Sequence, residues 1–128
     1  MATGYDWAGH VKSVARLLHA DGSGWTNKAV YALDRSGRAV TFLDPGAVAW
    51  TLLGANATVL YDAGTPATVA LHIRRTEIMM KLYAKAGIPL IAKSHATTAL
   101  IKFNEVAEWA DVEKVLRAAY AIARKVQG

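Results

Sequence analysis

From Asp111 to the carboxyl end, Val112, Val115, Leu116, Ala119, Ile122, Ala123 and Val126 recur at helical spacing and form one continuous apolar stripe. A helix of this kind gains most of its stability from packing, so the rest of the chain must offer it a complementary apolar surface. The first segment does so. Over residues 7–20, Val11, Val14, Ala15 and Leu18 share a face, Lys12, Ser13, Arg16 and His19 lie elsewhere, and Asp6 is placed to cap the first turn. Asp21-Gly22-Ser23-Gly24 then ends that helix.

Between the terminal helices the pattern changes. Residues 28–33 and 38–42 are short runs of strand type separated by Asp34-Arg35-Ser36-Gly37, which predicts a β-hairpin. Asp44-Pro45 joins a capping acid to a proline, and predicts a buried central helix reaching about residue 56 or 61, with Val48, Trp50, Leu52 and Leu53 in the core. Gly54 either admits a close contact to that helix or ends it. Thr65-Pro66 repeats the signal and opens a long helix that stops at Gly87. Its apolar side holds Val69, Ile73, Met80 and Tyr83, while Arg74, Lys81 and Lys85 share another. Residues 88–91 read as extended, and residues 99–103 read as either a strand or a short helix.

The expected fold is therefore α+β and mostly helical, with about four helices packed on a small hairpin in a single domain, 1–128. A chain of 128 residues buries roughly two thirds of its unfolded surface and supports one core. That core must rest on packing alone, because the absence of cysteine removes a disulfide framework, a thiolate metal site and a cysteine nucleophile. The amino terminus lacks the pattern of a signal peptide, and no stretch approaches the roughly 18 apolar residues of a membrane span, so no membrane partner and a cytoplasmic location are expected.

The landmarks Trp25, Leu43-Asp44-Pro45-Gly46-Ala47-Val48-Ala49-Trp50, Leu53-Gly54-Ala55, Ile101-Lys102-Phe103-Asn104-Glu105 and Val112-Glu113-Lys114-Val115-Leu116 stand in an order that spans roughly residues 14–124. In this the chain resembles a family of small uncharacterised bacterial and phage proteins, a domain of unknown function with Trp, Leu-Gly-Ala and aromatic-Asn-Asp motifs. It differs from them at Thr51, where members commonly carry Cys, and at Glu105, where they commonly carry Asp. The resemblance implies a shared fold and a phage or mobile-element setting. It implies no catalytic residue.

Charge is unevenly placed. Residues 63–103 carry six basic groups, Arg74, Arg75, Lys81, Lys85, Lys93 and Lys102, against the single acid Glu77, so the whole net charge of +5 arises there. These six cations, with Trp109 as an aromatic anchor, are the candidate partner-binding residues. His10, His19, His72 and His95 show no metal-ligand spacing, so no metal is expected, and no glycine-rich loop predicts a nucleotide or other cofactor. The one polar grouping suited to catalysis is Ser94 and His95 with Asn104 and Glu105, although Asn104 has a simpler use in closing a turn or capping the approach to the last helix. The leading expectation is a non-enzymatic module that binds and modulates a larger protein or nucleoprotein. Direct nucleic-acid binding through residues 74–102, and a hydrolase or transferase centred on His95, are the alternatives.

Overall fold

The computed structural model describes residues 5–19, 22–62, 69–88 and 96–127. They form helix α1 (Trp7–Leu17), strands β1 (Ala32–Asp34), β2 (Ala39–Val40) and β3 (Ala47–Trp50), and helices α2 (Leu52–Asp62), α3 (Val69–Ala86), α4 (Ala96–Val106) and α5 (Trp109–Gln127). The architecture is α+β and mostly helical. Among the described residues no helix is long and apolar enough to cross a membrane.

Local signals place most of the boundaries. The Asp6 carboxylate accepts the Gly9 amide at 2.9 Å and caps α1. α3 ends in a Schellman arrangement, in which Gly87 (φ 121°) and Ile88 donate back to the carbonyls of Ala84 and Tyr83, a conformation that favours glycine. Thr65 and Pro66, the expected start of that helix, lie outside the described residues, as do residues 89–91. The segment 99–103 is helical, inside α4, which brings the helices among the described residues to five. α5 begins before Asp111: the chain enters it at Glu108, whose amide donates to the Asp111 carboxylate at 2.9 Å, so Asp111 closes the first turn from within.

The hairpin forms around Asp34, which accepts the Ser36 and Arg38 amides, with Gly37 left-handed at φ 83°. Its strands are shorter than expected, since residues 28–31 lie outside β1.

The expected central helix from Asp44 does not form. Asp44 accepts the Gly46 amide at 2.7 Å and its carbonyl accepts that of Ala47, which makes a turn, and residues 47–50 continue as β3. β3 pairs antiparallel with β1 in the order β2-β1-β3, and Trp50 bonds on its other side to Gly24 and Thr26. A two-stranded hairpin is only marginally stable, so long-range pairing overrides the local helix signal. Val48 is consequently exposed and Trp50 only half-buried.

α2 starts instead at Leu52, with Thr51 as its cap. The Thr51 hydroxyl accepts the Gly54 amide at 3.0 Å and donates to the Val30 carbonyl at 2.8 Å, tying the helix to the strand entry. Gly54 is a close-contact residue: an added Cβ would meet the Tyr31 carbonyl oxygen and lie 2.8 Å from its carbon. Backbone cannot swing aside as a side-chain tip can, so Gly54→Ala is expected to destabilise the fold by about 2 kcal/mol in urea unfolding. An unchanged midpoint would show that α2 and the strand entry are not in contact.

α5 packs against both α1 and α3, while α2 packs against α1 and α4. Val14, Leu18, Leu52, Tyr83, Leu100, Val112 and Ala119 are fully buried where these helices meet.

Candidate functional site

Polar groups inside the core form two clusters. In the first, Asn104 on α4 is 2% exposed and uses both ends of its amide. Its oxygen accepts from Trp25 Nε1 at 2.8 Å and from the Leu52 amide at 3.0 Å, and its nitrogen donates to the Thr26 carbonyl at 3.0 Å. Together with Thr51 it satisfies amides that the first turn of α2 would otherwise leave unpaired. The expectation that Asn104 closes a turn or caps the last helix is corrected: it sits within α4 and pins the start of α2 and the loop at residues 25–26. Glu105, next in sequence, is exposed. Ser94, His95 and Lys93 lie outside the described residues, so of the expected catalytic grouping only Asn104 and Glu105 are seen, and these two differ in burial.

The second cluster surrounds His10, also 2% exposed. Asn56 donates to the Leu52 carbonyl at 2.8 Å, which leaves its oxygen to accept from His10 Nε2 at 2.7 Å and from the Tyr83 hydroxyl at 2.9 Å. His10 Nδ1 is then the acceptor for the Tyr5 hydroxyl at 2.8 Å. Burial disfavours the imidazolium and lowers the His10 pKa from 6.5 to about 4, against a smaller upward pull from Asn56. Burial likewise raises Tyr83 and Tyr5, and Arg75 partly opposes it at Tyr5. A neutral, enclosed His10 of this kind organises the core. Among the described residues no three His, Cys, Asp or Glu groups are placed to hold a metal.

The expected cationic surface divides. Arg74, Lys81 and Lys85 are exposed on α3 with Glu77 among them, and Lys102 is exposed on α4. Arg75 turns inward, its guanidinium 4.9 Å from the centroid of the Tyr5 ring, and belongs with the His10 cluster.

Trp109 is half-buried at the start of α5, its ring 6.3 Å from that of Trp25. It forms one end of an open groove of about 370 Å³ between α1 and α5. Val11, Ala15 and Leu116 form the floor, Trp109 and Tyr120 the aromatic walls, and Lys12, His19, Glu113 and Arg117 the rim. His19 takes a left-handed backbone (φ 61°) as the chain leaves α1, and the Glu113 carboxylate lies 3.4 Å from Arg117. Sequence reasoning singled out Trp109 but not this groove, because the helices that line it, α1 and α5, come from opposite ends of the chain. Comparison of the chain with protein-family models, curated proteins and solved structures finds no match in any of the three.

Proposed function

We propose that this protein is a small non-enzymatic binding module that docks on a larger protein or nucleoprotein and modulates it, with the α1–α5 groove as its docking site. The observation that carries this is the groove itself: an apolar floor, two aromatic walls and a volume of about 370 Å³, within the range of binding clefts. Trp and Tyr at its ends are the side chains that most often anchor interfaces. The commitment of Asn104 to three structural hydrogen bonds weighs against the hydrolase or transferase alternative, since an amide so engaged has little left for a substrate. The resemblance to bacterial and phage proteins supplies the suggested mobile-element setting.

Nucleic-acid binding is the second reading, favoured by the exposure of Arg74, Lys81, Lys85 and Lys102. The ion pairs found among the described residues, Arg38 with Asp34 and Arg117 with Glu113, involve none of these cations.

A photo-cross-linking residue placed at Lys12 on the groove rim, or at Lys85 on α3, separates the two in the source cell. The expected result is a discrete protein adduct from position 12. Adducts from position 85 alone, together with DNA binding at about 50 mM salt that Arg74→Glu with Lys81→Glu abolishes, would reverse the ranking.

A further inference from the structure

We infer that the occupant of the α1–α5 groove is an acidic amphipathic α-helix of a partner protein, about three turns long. The inference rests on the docking reading above and adds the class of partner. The chain just past α1 lies beside the start of α5, where a Cβ on Gly22 would meet the Trp109 ring, and Val11, Lys12 and Tyr120 line the groove further along, so the helices run antiparallel. From Trp109 to Tyr120 the groove extends roughly 16 Å, the length of about three helical turns.

A segment laid on this floor loses water from its backbone. Val11, Ala15 and Leu116 offer no amides or carbonyls in exchange, and the groove has no open strand edge to pair with an extended peptide. A helix satisfies its own backbone and needs nothing from the floor. Ala15, small and half-buried between larger neighbours, leaves the recess into which an apolar side chain of that helix fits.

The charge of the rim selects the flanks of the occupant. α1 contains no acid from Trp7 to Leu17, and carries Lys12 with Arg16 one turn on, both exposed. On the α5 side Arg117, 79% exposed, pairs with Glu113 at 3.4 Å, so these two charges offset each other. Carboxylates on the flank that faces α1 therefore meet Lys12, with Arg16 beside it, whereas basic groups on that flank meet repulsion.

The test is a display selection against the full chain, using a library of roughly 14-residue helical peptides with randomised flanks. The expected result is enrichment of peptides with apolar residues at i, i+3 or i+4, and i+7 bordered by Asp and Glu. Their binding should weaken about tenfold in Lys12→Glu with Arg117→Glu, and selection against that variant should turn to basic flanks. Both substituted residues are exposed, so the variant keeps its fold. Ala15→Phe, which plugs the floor, should abolish binding without lowering the melting temperature.

Four results overturn the assignment: flanks that ignore the rim reversal, selected peptides that still bind Ala15→Phe, uptake of a small apolar dye with no peptide enriched, or concentration-dependent self-association that Ala15→Phe removes. Should the cross-link from position 12 form a protein adduct while the selection shows no flank preference, the docking reading stands and the acidic helix alone fails.

Discussion

Asn104→Ala is expected to lower the free energy of unfolding by about 4 kcal/mol, a large part of the total stability of a domain this size. The substitution removes the partner of three groups: the half-buried Trp25 Nε1, the buried Leu52 amide and the Thr26 carbonyl. Each unpaired buried group costs roughly 1–3 kcal/mol, and water entering the vacated space recovers some of that. The melting temperature should fall by more than about 10 °C. Glu105→Ala, an exposed neighbour on the same helix, should stay within about 0.5 kcal/mol of the parent. Thermal melts of the two variants check both statements, and an Asn104→Ala melt coincident with the parent would remove Asn104 from its place at the start of α2.

The same residue shows why the candidate site was only partly legible in the sequence. Asn104 could be recognised there as a polar residue near an aromatic one, which suits a turn, a cap or a ligand equally well. Its actual partners lie 52 to 79 positions away, and no local pattern carries that distance. His10 and Asn56, 46 residues apart, are the same case. Four local readings hold: the Asp6 cap, the turn at Asp34 and Gly37, the stop at Gly87 and the burial of Val112, Val115, Leu116, Ala119 and Ala123 along α5 each depend on neighbours within a few residues.

Asp44-Pro45 marks the limit of local reading. An acid followed by proline suits the first turn of a helix and the corner of a β-turn for the same reason, a side chain that accepts nearby amides beside a residue with fixed φ. The choice falls to β1 and to residues 24–26, which supply hydrogen bonds on both sides of β3. The basic segment divides by the same logic. Composition groups Arg74 with Arg75, but helical periodicity turns them about 100° apart, leaving one exposed and the other over the Tyr5 ring.

His10 leads to the second large prediction, a loss of stability on acidification that belongs to one side chain. The native state holds the imidazole neutral, with a pKa near 4 against 6.5 when unfolded, so the unfolded chain binds the extra proton first. The contribution is complete above pH 6.5, diminishes as pH falls, and is spent once pH drops below the folded pKa. It amounts to about 2 kcal/mol lost by pH 5 and about 3 kcal/mol by pH 4. The groups around the ring explain why the native state resists protonation. Burial dominates: Trp7 covers one side with its centroid 5.1 Å away, and the ring's hydrogen-bond partners Asn56 and Tyr5 are neutral, with Asn56 exerting only a smaller upward pull. His10→Gln retains an amide that can reach Asn56 but has no proton to gain, so its stability should fall less steeply over the same range. Urea unfolding of both proteins at pH 7.5, 5 and 4 isolates the effect as the difference between their curves, which cancels the titration of the carboxylates they share. Parallel curves would mean that His10 is already solvated in the folded protein, and would place water where the cluster of Tyr5, His10, Asn56 and Tyr83 now closes the junction of α1, α2 and α3.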